Sequence, residues 1–319
     1  MTRSKVIFDT DPGIDDAMAL LFLAGAPGVD LIGVTTVLGN GTIATTTRNA
    51  LYLKQRFALR APVFQGAGAP LNGEVRAPPT WVHGENGLGD VDLGGPLAVT
   101  AESAPAHRFI IDAARRHPGE VSIIAVGRMT NLALALRADP GIARLIKQVV
   151  VMGGAFGLNG HTGNVTPVAE ANIHGDPLAA DEVFGASWPL VVVGLDVTQQ
   201  TQMRDTYLRG LAETGGDRGR FIWDITRFYV DFHRRSGHAA MWVHDSSAVA
   251  YWLDPSLFTT RTGAIRVVTE GIAVGQTIQK PDGKHFPPGA WDGRPSHAVC
   301  VAVESERFLA LYRGTLAER

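Results

Sequence analysis

Cysteine is almost absent from this 319-residue chain. A single Cys300 excludes an intrachain disulfide and any zinc cluster built from cysteines. It sits in Ala298-Val299-Cys300-Val301-Ala302-Val303, an apolar run that reads as core packing rather than as a nucleophile. No apolar run approaches the ~18 residues that suggest a membrane span. No basic block interleaved with aromatics is present, and the formal net charge is −2, so nucleic acid is not an expected partner. Met1-Thr2-Arg3-Ser4-Lys5 leads directly into a short apolar strand without a signal-peptide pattern, which gives the expectation of a cytoplasmic protein with no membrane partner. Repeats, low-complexity tracts and linkers are also missing. With 45% hydrophobic residues the chain can bury a large core, and the expectation is a single domain over residues 1–319.

What is present is an alternation of strands and helices. Short β-branched runs at Lys5–Asp9, Leu31–Val37, Pro62–Gln65, Val121–Val126, Gln148–Met152 and Leu190–Val193 read as strands. Helical patterns lie at Ile14–Ala24, Ile43–Phe57, Ala106–Arg116, Asn131–Ala138 and Pro177–Phe184. Later come helices at Phe221–His233, Ser246–Leu253 and near Phe308–Tyr312, and strands at Ala264–Thr269 and Ala298–Val303. A loop rich in Gly and Pro runs from Gly66 to Pro96 and reads as a lid. The fold class expected is α/β, with an open, mostly parallel Rossmann-like sheet and helices on both faces. Ligands in such sheets bind beyond the carboxyl ends of the strands.

That rule points to Asp9-Thr10-Asp11-Pro12-Gly13-Ile14-Asp15-Asp16, where four aspartates follow the first strand. Two carboxylates about 4 Å apart repel by roughly 4 kcal/mol at an effective dielectric of about 20. A hard cation, Ca²⁺ or Mg²⁺, would remove that cost. Capping explains Asp15 or Asp16 at a helix start, but not the acids at the strand end. His244-Asp245 offers a further carboxylate and a proton donor, although Asp245 alone reads as a helix N-cap. Glu170 and Asn172 alternate along the chain and share a face, and Asn164 can join them. Such a set either caps a loop or clamps vicinal hydroxyls.

Taken in order, these motifs identify the chain as similar to the nucleoside hydrolases, also called inosine-uridine preferring nucleoside N-ribohydrolases. The resemblance rests on Asp9-Thr10-Asp11-Pro12-Gly13-Ile14-Asp15-Asp16-Ala17, Thr35-Thr36-Val37-Leu38-Gly39-Asn40 and Trp81-Val82-His83-Gly84-Glu85-Asn86-Gly87-Leu88-Gly89. It continues through Met129-Thr130-Asn131-Leu132-Ala133, Val151-Met152-Gly153-Gly154, Ala169-Glu170-Ala171-Asn172 and His244-Asp245, and spans about residues 5–315. It implies a Ca²⁺ enzyme that hydrolyses the N-glycosidic bond of ribonucleosides to ribose and free base. On this chain the implied ion ligands are Asp11, Asp16, Asp245 and the carbonyl of Val126. Asp11 would also deprotonate the attacking water held by the ion. Asp15, Asn40, Asn164, Glu170 and Asn172 would hold the ribose, with Met152 packed near the sugar. His83 and His244 would lie by the base, His244 assisting its departure. The family further implies a homodimer or homotetramer.

Departures from the family pattern are Val126 for a threonine, Arg128 for a small residue or proline, and Ala171 for an aromatic. The last removes a wall near the ribose 5′ side. In the run Phe228–His238 the base pocket is open to several readings: Phe228, Phe232 or His233 stacks on or protonates the base, or all are core residues of an amphipathic helix. Two other functions compete. One is a non-catalytic nucleoside-binding or sensor protein, and the other a phosphohydrolase with Asp9 or Asp11 as nucleophile.

Overall fold

The computed structural model describes residues 3–317. Its strands are β1 (Ser4–Thr10), β2 (Val29–Thr36), β3 (Val63–Gln65), β4 (Val121–Ala125), β5 (Gln148–Met152) and β6 (Leu190–Val193). They continue with β7 (Gln202–Met203), β8 (Met241–Trp242), β9 (Phe258–Val267), β10 (Thr277–Pro281) and β11 (Ser296–Val303). Nine of them form one sheet in the order β10-β9-β11-β6-β5-β4-β1-β2-β3, and β7 pairs with β8 separately. Pairings from β11 through β3 are parallel, except that β9 runs antiparallel to β11 and to β10. The expected open α/β sheet is therefore observed, with an antiparallel edge added. Buried side chains form one cluster on each face, around Phe8, Phe22 and Tyr312 on one side and Ile7, Phe184 and Trp188 on the other. This split follows from β1 itself, whose Ile7 and Phe8 point to opposite faces.

Helix Ile14–Gly25 positions the site. Residues Ile14 to Leu23 are all buried, so the helix runs through the interior rather than over it. It packs on helix Asp245–Leu253, which is buried from Asp245 to Tyr251. The N-terminal ends of both helices meet where β1 ends. Asp15 and Asp16 are thus brought together with the sequence-distant Asp245, and the positive ends of two helix dipoles face them.

Several boundaries differ from expectation. The helix expected at Phe221–His233 runs from Gly216 to Arg235. Its first turn, Gly216-Asp217-Arg218-Gly219, carries two glycines and so reads as a turn. Gly219 is there for contact: a Cβ would lie 2.0 Å from the carbonyl oxygen of Leu211 in the preceding helix, Asp205–Thr214. That preceding helix, the short helix Leu195–Thr198 and strand β10 were not expected. β10 is an edge strand with one continuous side open, so it carries polar residues where a central strand would be apolar. The long loop from Gly66 to Pro96 holds a one-turn helix, Thr80–His83.

Candidate active site

Beyond the ends of β1, β4 and β5 lies a cavity of about 550 Å³. Its floor is acidic. One oxygen each of Asp15, Asp16 and Asp245 can be chosen so that all lie within 4.8 Å of one another, and all three residues are buried. Asp16 is held by Thr10 Oγ1 at 2.5 Å, the N–H of Asp11 at 3.1 Å and of Gly13 at 3.0 Å, and Asn40 Nδ2 at 2.8 Å. Four donors on one carboxylate fix its position and keep it as an acceptor. Asp11 lies beside it, receiving the N–H of Asn40 at 2.7 Å on Oδ2. Its Oδ1, and Oδ1 of Asp15, are buried without a hydrogen-bond partner. Glycines crowd Asp11 from two strand ends: a Cβ at Gly39 would lie 1.8 Å from Oδ2, and one at Gly127 2.6 Å from Oδ1.

Burial pushes the pKa of Asp11 well above the usual carboxylate value, and the charge of Asp16 adds to it. The same two causes, in that order, raise Asp15 to about 8. Asp245 is raised by burial and then by Asp15. Among the described residues no lysine or arginine forms an ion pair with these carboxylates; His83 Nδ1, 3.9 Å from Asp15 Oδ1, is the nearest basic group. The charge of Arg128 lowers the pKa of Asp11 only in part; unpartnered oxygens among clustered acids are what an oxygen-ligated metal site requires, so the cluster could hold a divalent metal ion. Asp9 stands behind it, bonded on Oδ2 by Thr35 Oγ1 at 2.6 Å and Asn131 Nδ2 at 2.8 Å. Burial holds its pKa near 7.

One wall is built around Glu170, Asn172 and Asn164. Glu170 caps helix Ala171–Gly175, accepting the N–H groups of Asn172, Ile173 and Gly154. Capping and lining thus coincide in one residue. Asn172 Nδ2 donates to the carbonyls of Val126 at 2.7 Å and Met152 at 3.2 Å. Only its Oδ1 is left for the cavity, and the Val126 carbonyl keeps one lone pair. Asn164 Oδ1 accepts the N–H of Ala171 at 3.0 Å, leaving its amide N–H groups. Ala171 itself lines the cavity, where a larger side chain would narrow it. Arg128 lies against Gly175, where a Cβ would be 2.3 Å from its Nε, and leaves the Val126 carbonyl in place.

The opposite wall is aromatic and histidine-rich. Tyr229 stacks on His83, with centroids 5.8 Å apart, and meets His233 edge-on at 4.5 Å. Trp242 lies 4.3 Å from the His238 ring and 6.1 Å from that of His244. Burial, then neighbouring histidines, lowers both His83 and His244 to about 3. Both are therefore neutral at pH 7. His83 Nδ1 accepts the N–H of Ile14 at 3.2 Å, so its proton is on Nε2. His233 Nδ1 must donate to the Tyr229 carbonyl at 2.9 Å, and its Nε2 faces the Trp242 N–H at 3.4 Å. Both of its nitrogens are occupied, so His233 is a wall rather than a proton source. Phe232 joins this wall, while Phe228 packs into the core outside it.

The family model for inosine-uridine preferring nucleoside hydrolases matches residues 6–310. The chain belongs to the nucleoside hydrolase family. It is 39% identical to uridine nucleosidase 1 of Arabidopsis thaliana over 98% of its own length and 93% of that protein's. The fold of a plant nucleoside hydrolase, PpNRh1, superposes with a TM-score of 0.94 at 38% identity, covering 99% of each chain. A purine-preferring ribonucleoside hydrolase from Gardnerella vaginalis superposes with a TM-score of 0.89 at 32% identity and 98% coverage of both. This nucleoside hydrolase is thus a glycosidic-bond hydrolase, and the sensor and phosphohydrolase readings fall away.

The structure gathers Asp15, Asn40, His83, Val126, Met152, Asn164, Glu170, Asn172, His244 and Asp245 around one cavity, with Asp11 and Asp16 behind its floor. The sequence reading missed Tyr229, Trp242, Gln199 and the exposed Trp81 at the rim. Tyr229, Phe232, His233 and Ser236 follow helical spacing and could have been read as one stripe.

Proposed function

We propose that this nucleoside hydrolase hydrolyses ribonucleosides in a Ca²⁺-dependent reaction, with Asp11, Asp16, Asp245 and the Val126 carbonyl holding the ion. The observation that carries this reading is the floor of buried carboxylates with unpartnered oxygens. When bound, the cation would neutralise the acids, orient the 2′- and 3′-hydroxyls and acidify the attacking water. Asp15, Asn40 and Glu170 receive the ribose hydroxyls, Asn172 accepts through Oδ1, and Asn164 donates through its amide. Asp11 Oδ1 takes the proton of the attacking water. The remaining negative charge of the floor stabilises the oxocarbenium-like sugar in the transition state.

Departure of the base is assisted from the opposite wall. Thr198 Oγ1 lies 2.8 Å from His244 Nδ1 and fixes the ring. A neutral His244 assists by offering an N–H hydrogen bond to the base rather than by delivering a proton from an imidazolium. His83 and Tyr229 flank the base and exclude water. The relatives named for uridine make uridine the first substrate to test. The sheet, which draws strands from both ends of the chain, supports one domain. A homodimer or homotetramer and a cytoplasmic location remain part of the proposal, and no helix among the described residues is long and apolar enough to cross a membrane. The test is ribose release from a panel of purine and pyrimidine ribonucleosides, with EDTA or added Ca²⁺. Release that is metal-dependent and lost with a 2′-deoxyribose supports the reading; release unaffected by EDTA sinks the metal assignment.

A further inference from the structure

The short helix Leu195–Thr198 serves the cavity with every polar residue it carries. Asp196 accepts the N–H groups of Phe156 at 2.9 Å and Leu158 at 2.6 Å, which anchors the loop after β5. Asn159 of that loop also donates to the Val301 carbonyl at 2.9 Å. Thr198 fixes His244. The next residue, Gln199, lines the cavity, as do His244 and Trp242. The segments after Gln199 and before His244 are joined: β7 pairs with β8, and the N–H of Val243 donates to the Thr201 carbonyl at 3.1 Å.

The side chain of Gln199 has a defined direction. His161 Nδ1 lies 2.8 Å from Gln199 Oε1. An amide oxygen only accepts, so His161 is the donor and carries its proton on Nδ1. His161 is itself held by its N–H to the Leu158 carbonyl at 2.9 Å, on the loop that Asp196 anchors. With Oε1 engaged, the two N–H groups of Gln199 Nε2 make no bond to the protein among the described residues and belong to a residue on the cavity wall. Elsewhere on this wall His233 has both nitrogens engaged, and Trp242 can offer only an indole N–H. Gln199 therefore brings an oriented amide donor to the cavity, directly after the Thr198 that fixes the His244 ring.

We infer that Gln199 is a specificity-determining residue that donates to the exocyclic oxygen of the base, the 4-oxo group of uracil or the 6-oxo group of a purine. His161 is a positioning residue that sets which end of the amide faces the base. Rotating the amide by a half-turn would present an oxygen instead, which suits the 4-amino or 6-amino group of cytosine or adenine. The pair thus discriminates oxo-bases from amino-bases. The inference rests on the ribonucleoside hydrolase reading proposed above.

The test compares kcat/KM for uridine against cytidine, and for inosine against adenosine, in the Ca²⁺-loaded wild type, Gln199→Glu, Gln199→Met and His161→Ala. A p-nitrophenyl riboside, whose leaving group has no ring carbonyl, is the reference substrate. In the wild type the oxo-substrate is expected to be favoured in each pair. Gln199→Met should lower the oxo-to-amino ratio about tenfold, the worth of one such hydrogen bond. Gln199→Glu, an acceptor only, should invert the ratio. His161→Ala frees the amide to turn and should bring both ratios toward unity, chiefly through better use of the amino-substrate. Loss on p-nitrophenyl riboside should be smaller than loss on uridine in every variant. Equal losses on all substrates, or unchanged ratios, would overturn the inference and leave Gln199 as a latch for the loop. No ribose release from any substrate by the wild type would instead remove the hydrolase reading, and this inference with it.

Discussion

The two ends of the cavity are equally buried and opposite in character. At the floor, burial raises carboxylate pKa values, and oxygens of Asp11 and Asp15 have no partner. At the histidine-rich wall, burial lowers those of His83 and His244, and the hydrogen bonds of their rings go to Ile14 and Thr198. The same desolvation acts on both. It leaves His83 and His244 neutral, a fitting surface for an uncharged base. The floor it leaves under electrostatic stress that a cation would relieve. The difference teaches which end needs a cofactor and which needs only shape and hydrogen bonds.

The comparison can be broken most forcefully at the floor. Asp11→Ala is expected to reduce ribose release about 10³-fold or more, since it removes both a proposed ion ligand and the proton acceptor. Retention of full turnover would dissolve the distinction between the two ends. At the wall, His244→Ala should cost about 10²-fold on inosine, and clearly less on p-nitrophenyl riboside, whose leaving group needs no assistance. Equal losses on both substrates would remove His244 from the leaving-group role.

Stability against pH separates the ends without turnover. The raised acids stabilise the metal-free fold fully below about pH 4 and lose that contribution as pH rises through their folded values, near 7 for Asp9 and 8 for Asp15. The lowered histidines behave oppositely: their contribution is complete above about pH 6.5 and is lost as pH falls toward 3. Of these two sets, only the raised acids still titrate between pH 6.5 and 8.5. The melting temperature of EDTA-stripped protein should fall across that window by several degrees, and saturating Ca²⁺ should flatten the slope. A flat profile in EDTA would argue that the acids are not held uncharged.

The smallest effect is expected far from both ends. Asp181 binds Arg266 at 2.9 Å and also Arg294, tying β9 and the segment before β11 to helix Pro177–Val183. Burial raises its pKa, but the Arg266 bond, the Val267 N–H and Arg294 together outweigh it and leave the net value lowered. Asp181→Asn should cost about 1–2 kcal/mol of stability after allowance for solvent screening, with kcat/KM changed less than twofold. A larger loss of activity than of stability would show that the comparison is incomplete.

What could be read from the sequence follows the same division. Asp9, Asp11, Asp15 and Asp16 are contiguous, and so many acids at a strand end have no ordinary structural reason. Asp245 gained meaning only through the family resemblance, because one aspartate at a helix start is indistinguishable from a cap. Trp242 and Gln199 gave no signal, and Tyr229 gave only its place in a helical stripe. Aromatic residues on a helix and an amide after a one-turn helix look like core and loop until packing shows which way they face. In the fold, continuous apolar strands such as Val121–Ala125 were legible, while the polar edge strand β10 and the glycine-started helix Gly216–Arg235 were missed or shortened. Both obey tertiary contacts rather than local pattern.

The most direct test of the acid floor is calorimetric titration of Ca²⁺ into EDTA-stripped protein at pH 7, repeated in two buffers of different ionisation heat and followed by ribose release. The account predicts a single ion per chain, release of protons as the raised carboxylates ionise, and activity that returns with occupancy. No binding, together with undiminished ribose release in EDTA, would contradict it.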